Sequence, residues 1–97
     1  MNDKLQSEHM SRLFKAILEL KNLDECYSFF EDLCTINELK AMSQRFEVVC
    51  MLNKNVQYTD IVAKTGASTA TISRVNRALT YGADGYKMIL ERMEKKD

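Results

Sequence analysis

Apolar side chains recur along this chain at three- and four-residue spacing, separated by short polar breaks. Met10, Leu13, Phe14, Ile17 and Leu18 repeat in this way. Ser7 ahead of them is suited to accept from the free amides of a first turn, so the pattern predicts a helix from Ser7 to about Lys21. Asp24 is read as the cap of a second, short helix that carries Tyr27, Phe30 and Leu33 on one face, with Cys26 and Phe29 beside them, and ends near Cys34. Thr35 with Glu38 three residues on has the spacing of a capping box, in which each side chain takes up the other residue's amide. It opens a longer helix whose buried side is expected to be Leu39, Met42, Phe46, Val49 and Leu52, ending between Asn53 and Asn55. A short helix is expected over residues 59–65, broken at Gly66, followed by one capped by Ser68 that runs to about Thr80. Asp84 before Tyr86, Ile89, Leu90 and Met93 marks a last helix that frays into the charged tail from Glu94 to Asp97. With no proline and three glycines to interrupt them, these segments predict an all-α fold of six helices.

Length and composition narrow the function. A chain of 97 residues with 45% apolar positions suits one folded domain. No apolar run is long enough to span a bilayer and the first ten residues are polar without an apolar signal core, so a cytoplasmic protein with no membrane partner is expected. Cys26, Cys34 and Cys50 form no close pair of the kind found in zinc or redox motifs, and they are read as reduced core thiols. His9 stands alone near a terminus. Neither a metal site nor an activated nucleophile can be assembled from these, so no metal, no cofactor and no enzyme is expected. Metal-assisted phosphoryl chemistry would need clustered carboxylates, and Glu25, Glu31 and Asp32 lie on the aromatic helix, far along the chain from the basic segment.

Fourteen basic and fourteen acidic residues cancel overall, but not locally. Residues 1–35 hold four basic and seven acidic side chains, whereas residues 36–81 hold six basic and three acidic. Between residues 62 and 77 the only charges are Lys64, Arg74 and Arg77, all positive, around the string GASTATISR at residues 66–74. A helix-turn-helix needs a residue free of side-chain clash at its bend, which Gly66 supplies, and a cap for its second helix, which Ser68 supplies. Ile61, Thr65, Ala67, Ile72 and Val75 are the expected inward contacts. Outward, Ser68, Thr69, Ala70, Thr71, Ser73 and Asn76 are short or polar, which lets the start of the helix approach base edges in a major groove. Lys64 and Arg77 suit the phosphate backbone. Double-stranded DNA is the expected partner. The alternative is a protein-interaction module that uses a helix-turn-helix as scaffold and binds through the acidic N-terminal face or the apolar helices, where the six methionines, several of them in the third and last helices, would make an adaptable surface.

The string GASTATISR, the TINE capping box at residues 35–38, the SQR triplet at residues 43–45, and the following Asn76 and Leu79 together resemble the Trp repressor family, in its YerC/YecD branch. The resemblance runs from about Thr35 to Met93, roughly three-fifths of the chain. It implies an intertwined homodimer of all-helical chains acting as a transcriptional regulator, a repressor, on operator DNA. It also implies one Trp-repressor-like domain over residues 1–97, with dimerisation helices in 1–34, a reading head in 35–81 whose helix-turn-helix spans 59–80, and a C-terminal helix and tail in 82–97. In tryptophan-responsive members two arginines sandwich the indole near a threonine, with a glycine making room for the ring. Arg45, Arg74 and Thr35 stand at the matching positions, but Val75 replaces the glycine and Ala78 a small polar residue. The resemblance thus implies an effector pocket of Thr35, Arg45, Arg74, Val75 and Ala78 in which tryptophan is not expected to bind, other effectors remaining open.

Overall fold

A computed structural model describes residues 5–96. Those residues form six helices and no strand: α1 (Glu8–Leu18), α2 (Leu23–Leu33), α3 (Ile36–Asn53), α4 (Tyr58–Thr65), α5 (Thr69–Tyr81) and α6 (Gly85–Lys96).

Local hydrogen bonding explains where each helix begins and ends. Ser7 Oγ accepts the Met10 amide at 3.0 Å, as the cap of α1. The helix stops at Leu18 rather than Lys21, because Glu19 and Leu20 turn their amides back to Ala16 and Ile17 in a tightened last turn. The Lys21 amide donates to Glu25 Oε1 at 2.9 Å, and Asn22 Oδ1 accepts the Glu25 amide at 2.9 Å. Asn22, not Asp24, therefore caps α2, and Asp24 sits inside its first turn, where a carboxylate also complements the helix dipole. At the head of α3 the box closes on both sides: Thr35 donates its amide to Glu38 Oε1 at 2.8 Å, and Glu38 donates its amide to Thr35 Oγ1 at 3.1 Å.

The C-terminus of α3 closes with Val56 donating its amide to the Met51 carbonyl and Asn55 to that of Leu52, both bonds crossing a left-handed Asn55 with φ of 61°. This is a Schellman closure in which asparagine takes the place usually given to glycine, and Val56 folds back against the core around Met51. The last helix does not fray at Glu94. It runs through Lys96, with Glu91 pairing Lys95 at 3.0 Å and Asn53 donating to Glu94 Oε1 at 3.4 Å; Asp97 lies outside the described residues.

The chain divides into two compact units, with the division after Leu39, just past the first turn of α3. In the first unit no residue of α1 or α2 is buried. Leu18 and Tyr27 are 82% and 70% exposed, and Leu23 and Ile36 are similarly open. Phe29 and Phe30 meet edge to face, with centroids 5.5 Å apart.

The second unit contains the core. Val48, Val49, Met51, Ile61, Ala67, Ile72, Val75 and Leu90 are buried together, and α5 packs on both α4 and α6. The buried side of α3 thus shares only Val49 with the stripe expected from spacing; Phe46, Leu52 and Leu39 are half-buried and Met42 is exposed. The five consecutive apolar residues from Val48 to Leu52 give α3 no single polar boundary, so periodicity alone could not orient it.

Accepting the Thr35 amide, and then the Thr35 hydroxyl interaction, holds the Glu38 carboxyl below its ordinary value of 4.5. A depressed folded-state value means that Glu38 contributes stability above the ordinary range and loses it as pH falls through the lower folded value. Glu38→Gln keeps an acceptor of equal length, so it should flatten this acid limb. Urea midpoints that fall as steeply in acid for the variant as for the parent would contradict the assignment.

Candidate nucleic-acid interface

The α4–α5 corner is built around one left-handed residue. Gly66 adopts φ of 73° and donates its amide to the Val62 carbonyl at 2.9 Å, ending α4. A Cβ there would find open space, so the demand for glycine comes from the backbone alone. Thr65 Oγ1 donates to the Ile61 carbonyl at 2.7 Å and accepts the Ala67 amide at 3.1 Å. Ser68 then caps α5, accepting the Thr71 amide at 3.1 Å and donating to Thr71 Oγ1 at 3.1 Å. At the other end of α5, Gly82 leaves no room for a side chain, since a Cβ would collide with the Ala78 carbonyl.

Packing fixes which way α5 faces. Ile61, Ala67, Ile72 and Val75 are buried, as the spacing predicts, and Thr65 is half-buried with its hydroxyl both donating and accepting within the turn. Thr69, Ala70, Ser73 and Arg77 are exposed and fall within about 100° of arc on a helix of 3.6 residues per turn. Thr71 and Asn76 depart from the outward placement expected of them. Both are half-buried, and the Thr71 hydroxyl is engaged by Ser68. Ser68 itself is exposed.

Electrostatics single out the same surface. Lys64, Arg74 and Arg77 are exposed and, among the described residues of the single chain, none of them forms an ion pair; the same holds for Arg45 on α3. The first turn of α5 carries no acidic residue, so its free amides and positive dipole end add to this field rather than oppose it. Short side chains at a helix start, flanked by unneutralised cations, form a surface that can approach a polyanion closely.

The residues considered for an effector pocket are placed differently from one another. Arg45, Arg74 and Ala78 are exposed on the second unit, whereas Val75 is 4% exposed and belongs to the core. Thr35, in the first unit, has its hydroxyl and amide committed to Glu38. No group of three or more His, Cys, Asp or Glu among the described residues is close enough to hold a metal ion. Burial first, then the Glu47 carboxylate, pushes the Cys50 thiol up, which keeps it protonated. No helix of the described residues is long and apolar enough to cross a membrane. Spacing did not mark Gln44, whose amide nitrogen donates to the Thr65 carbonyl at 3.1 Å across 21 residues of chain; no local pattern could have shown that pairing.

A family model described as Trp repressor protein matches residues 8–94. The chain belongs to the Trp repressor family. Proteins of the Trp repressor family are regulatory and DNA-binding rather than enzymatic. The match takes in α1 and α2, well beyond the segment from Thr35 onward that carries the recognisable motifs. Over 93 residues the chain is 54% identical to the uncharacterized protein YerC of Bacillus subtilis strain 168, covering 96% of this chain and 89% of that one. A crystal structure of a TrpR-like protein from Eubacterium eligens is 60% identical with a TM-score of 0.93, and covers 96% of each chain. A second crystal structure, from Staphylococcus aureus, is 51% identical with a TM-score of 0.91, over 95% of this chain and 92% of that one. The all-α, Trp-repressor-like fold and the YerC branch are thereby shown.

Three substitutions probe how this corner is held. Gly66→Ala, forced into a left-handed backbone, should cost about 1 kcal/mol, and Ser68→Ala, losing the cap, about the same. Ile72→Ala, which empties a fully buried site, should cost about 2 to 5 kcal/mol. Chemical denaturation measures all three; a smaller loss for Ile72→Ala than for Ser68→Ala would contradict the packing described.

Proposed function

We propose that this chain is a sequence-specific, double-stranded-DNA-binding transcriptional regulator, a repressor, that acts in the cytoplasm as a homodimer. The observation that carries the reading is the face of α5. Thr69, Ala70 and Ser73 stand exposed at the start of a capped helix, seated on a buried core and flanked by unpaired Lys64, Arg74 and Arg77. In this reading the first two turns of α5 enter a major groove. Thr69 and Ala70 meet thymine methyls or base edges, Ser73 and Asn76 hydrogen-bond further in, and Arg77 and Lys64 hold phosphates. Ser68 and Thr71, bonded to one another, hold the tip of the helix in shape and present a hydroxyl beside it.

Dimerisation draws its support from α1 and α2, none of whose residues is fully buried in the single chain and which leave Leu18, Leu23, Tyr27 and Leu33 exposed. Aliphatic and aromatic side chains at such density are expected against a partner surface. A second copy provides one with self-complementary symmetry, and a two-fold axis would space the two α5 helices by about 34 Å, one turn of duplex. Sedimentation at micromolar protein should return the dimer mass; an 11.2 kDa species would contradict this part of the reading.

Tryptophan is not required in this account, because the Val75 side chain occupies core volume beside Arg74 where a glycine would leave space. Calorimetry should detect no stoichiometric uptake of L-tryptophan at micromolar concentration, and such uptake would overturn the role given to Val75.

Gel shifts test the DNA reading directly. Random duplex at low salt should shift, with log K falling by about 0.9 per neutralised phosphate as log salt rises. Arg77→Ala should weaken every sequence alike and reduce that slope by about one contact. Thr69→Ala should instead relax preference at one base pair, by about 1 to 3 kcal/mol if the threonine reads an edge. No shift at tens of micromolar protein would favour a protein-interaction module instead.

A further inference from the structure

We propose that Gln44 is a positioning residue that sets the attitude of α5 by tethering the α4–α5 turn to α3; its consequence for DNA rests on the reading proposed above. Gln44 lies on the same stripe of α3 as Val48 and Met51, four and seven residues on, both of which are buried in the core. The stripe thus ends in a half-buried amide where the apolar core gives way to the turn. That amide donates to the carbonyl of Thr65, the last residue of α4, at 3.1 Å. Helix-terminal carbonyls have no partner within their own helix, and Gln44 supplies one from a different helix. Only its Nε2 can do so, because a carbonyl cannot accept from the Oε1 end.

The same threonine is where the other polar bonds of the turn converge. Its hydroxyl donates to Ile61 and accepts the Ala67 amide, and the next residue, Gly66, is the left-handed one. Fixing the Thr65 carbonyl therefore fixes the peptide plane that leads into Gly66, and with it the direction in which Ala67 and Ser68 deliver α5. Among the described residues this is the hydrogen bond that joins α3 to the turn; Val48, Val49 and Met51 of α3 otherwise meet Ile61, Ala67 and Ile72 in apolar packing, which is less directional.

The test is amide hydrogen exchange on Gln44→Met, which keeps side-chain length and loses the donor, with Gln44→Ala beside it. Exchange at Gly66 and Ala67 should speed about three- to tenfold, the range expected for one lost hydrogen bond. The Met88 amide, held by the Asp84 carbonyl at the start of α6, should keep its rate. The preference of the variants for a selected duplex over a random one should fall by a similar factor. Unchanged rates at Gly66 and Ala67 would overturn the proposal, and so would an equal rise at Met88, which would make Gln44 a contributor to global stability only. If the parent protein prefers no duplex, the DNA reading fails by itself and the exchange rates still decide the tether.

Discussion

The left-handed turn between α4 and α5 is held from three directions. Gly66 supplies a backbone that other residues adopt only under strain, Thr65 gathers the polar groups of the turn onto one side chain, and Ala67 drops into the core. Everything proposed for α5 depends on this corner. A recognition surface of short side chains has little reach of its own, so the helix axis must be placed correctly for Thr69, Ala70 and Ser73 to touch anything. A bend fixed by hydrogen bonds and by fully buried Ile61 and Ile72 can do this where a flexible linker could not.

The two units solve different physical problems. Residues from Lys40 onward close a small core with helices α3 to α6, its buried side chains drawn from four helices. Among the described residues before it, Phe14, Leu18, Leu23, Tyr27, Leu33 and Ile36 are exposed. Fully burying a leucine, isoleucine or aromatic side chain is worth about 1.5 to 3 kcal/mol, and association costs about 4 to 15 kcal/mol. Covering Leu18, Leu23, Tyr27, Leu33 and Ile36 on each of two chains is of the right size to exceed that cost. That balance supports the homodimer proposed above over a monomer that leaves these side chains exposed.

Much of this was legible in the sequence, for local reasons. Capping chemistry acts over three or four residues, so Ser7, the Thr35 and Glu38 pair, Gly66 and Ser68 could be placed without a structure, and the buried side of α5 at Ile72 and Val75 was legible because apolar positions there stand among polar neighbours. Where the reading slipped, competition or distance was at work. The pattern puts the cap of α2 two residues too late, at Asp24; the Glu25 amide donating to Asn22 Oδ1 places it at Asn22. The run from Val48 to Leu52 is apolar on every side, so the face of α3 is chosen by what α4, α5 and α6 present to it. Gln44 pairs across 21 residues, and Thr71 turns partly inward to meet Ser68; neither has a signature in spacing.

The central claim is that α5 reads duplex DNA in pairs. Selecting bound duplexes from a randomised pool with the full-length protein tests it most directly, because occupancy, symmetry and spacing emerge from one experiment. The account predicts an enriched palindrome whose half-sites are centred about 10 base pairs apart. A pool that stays random through successive rounds, or a single unpaired half-site, would contradict it.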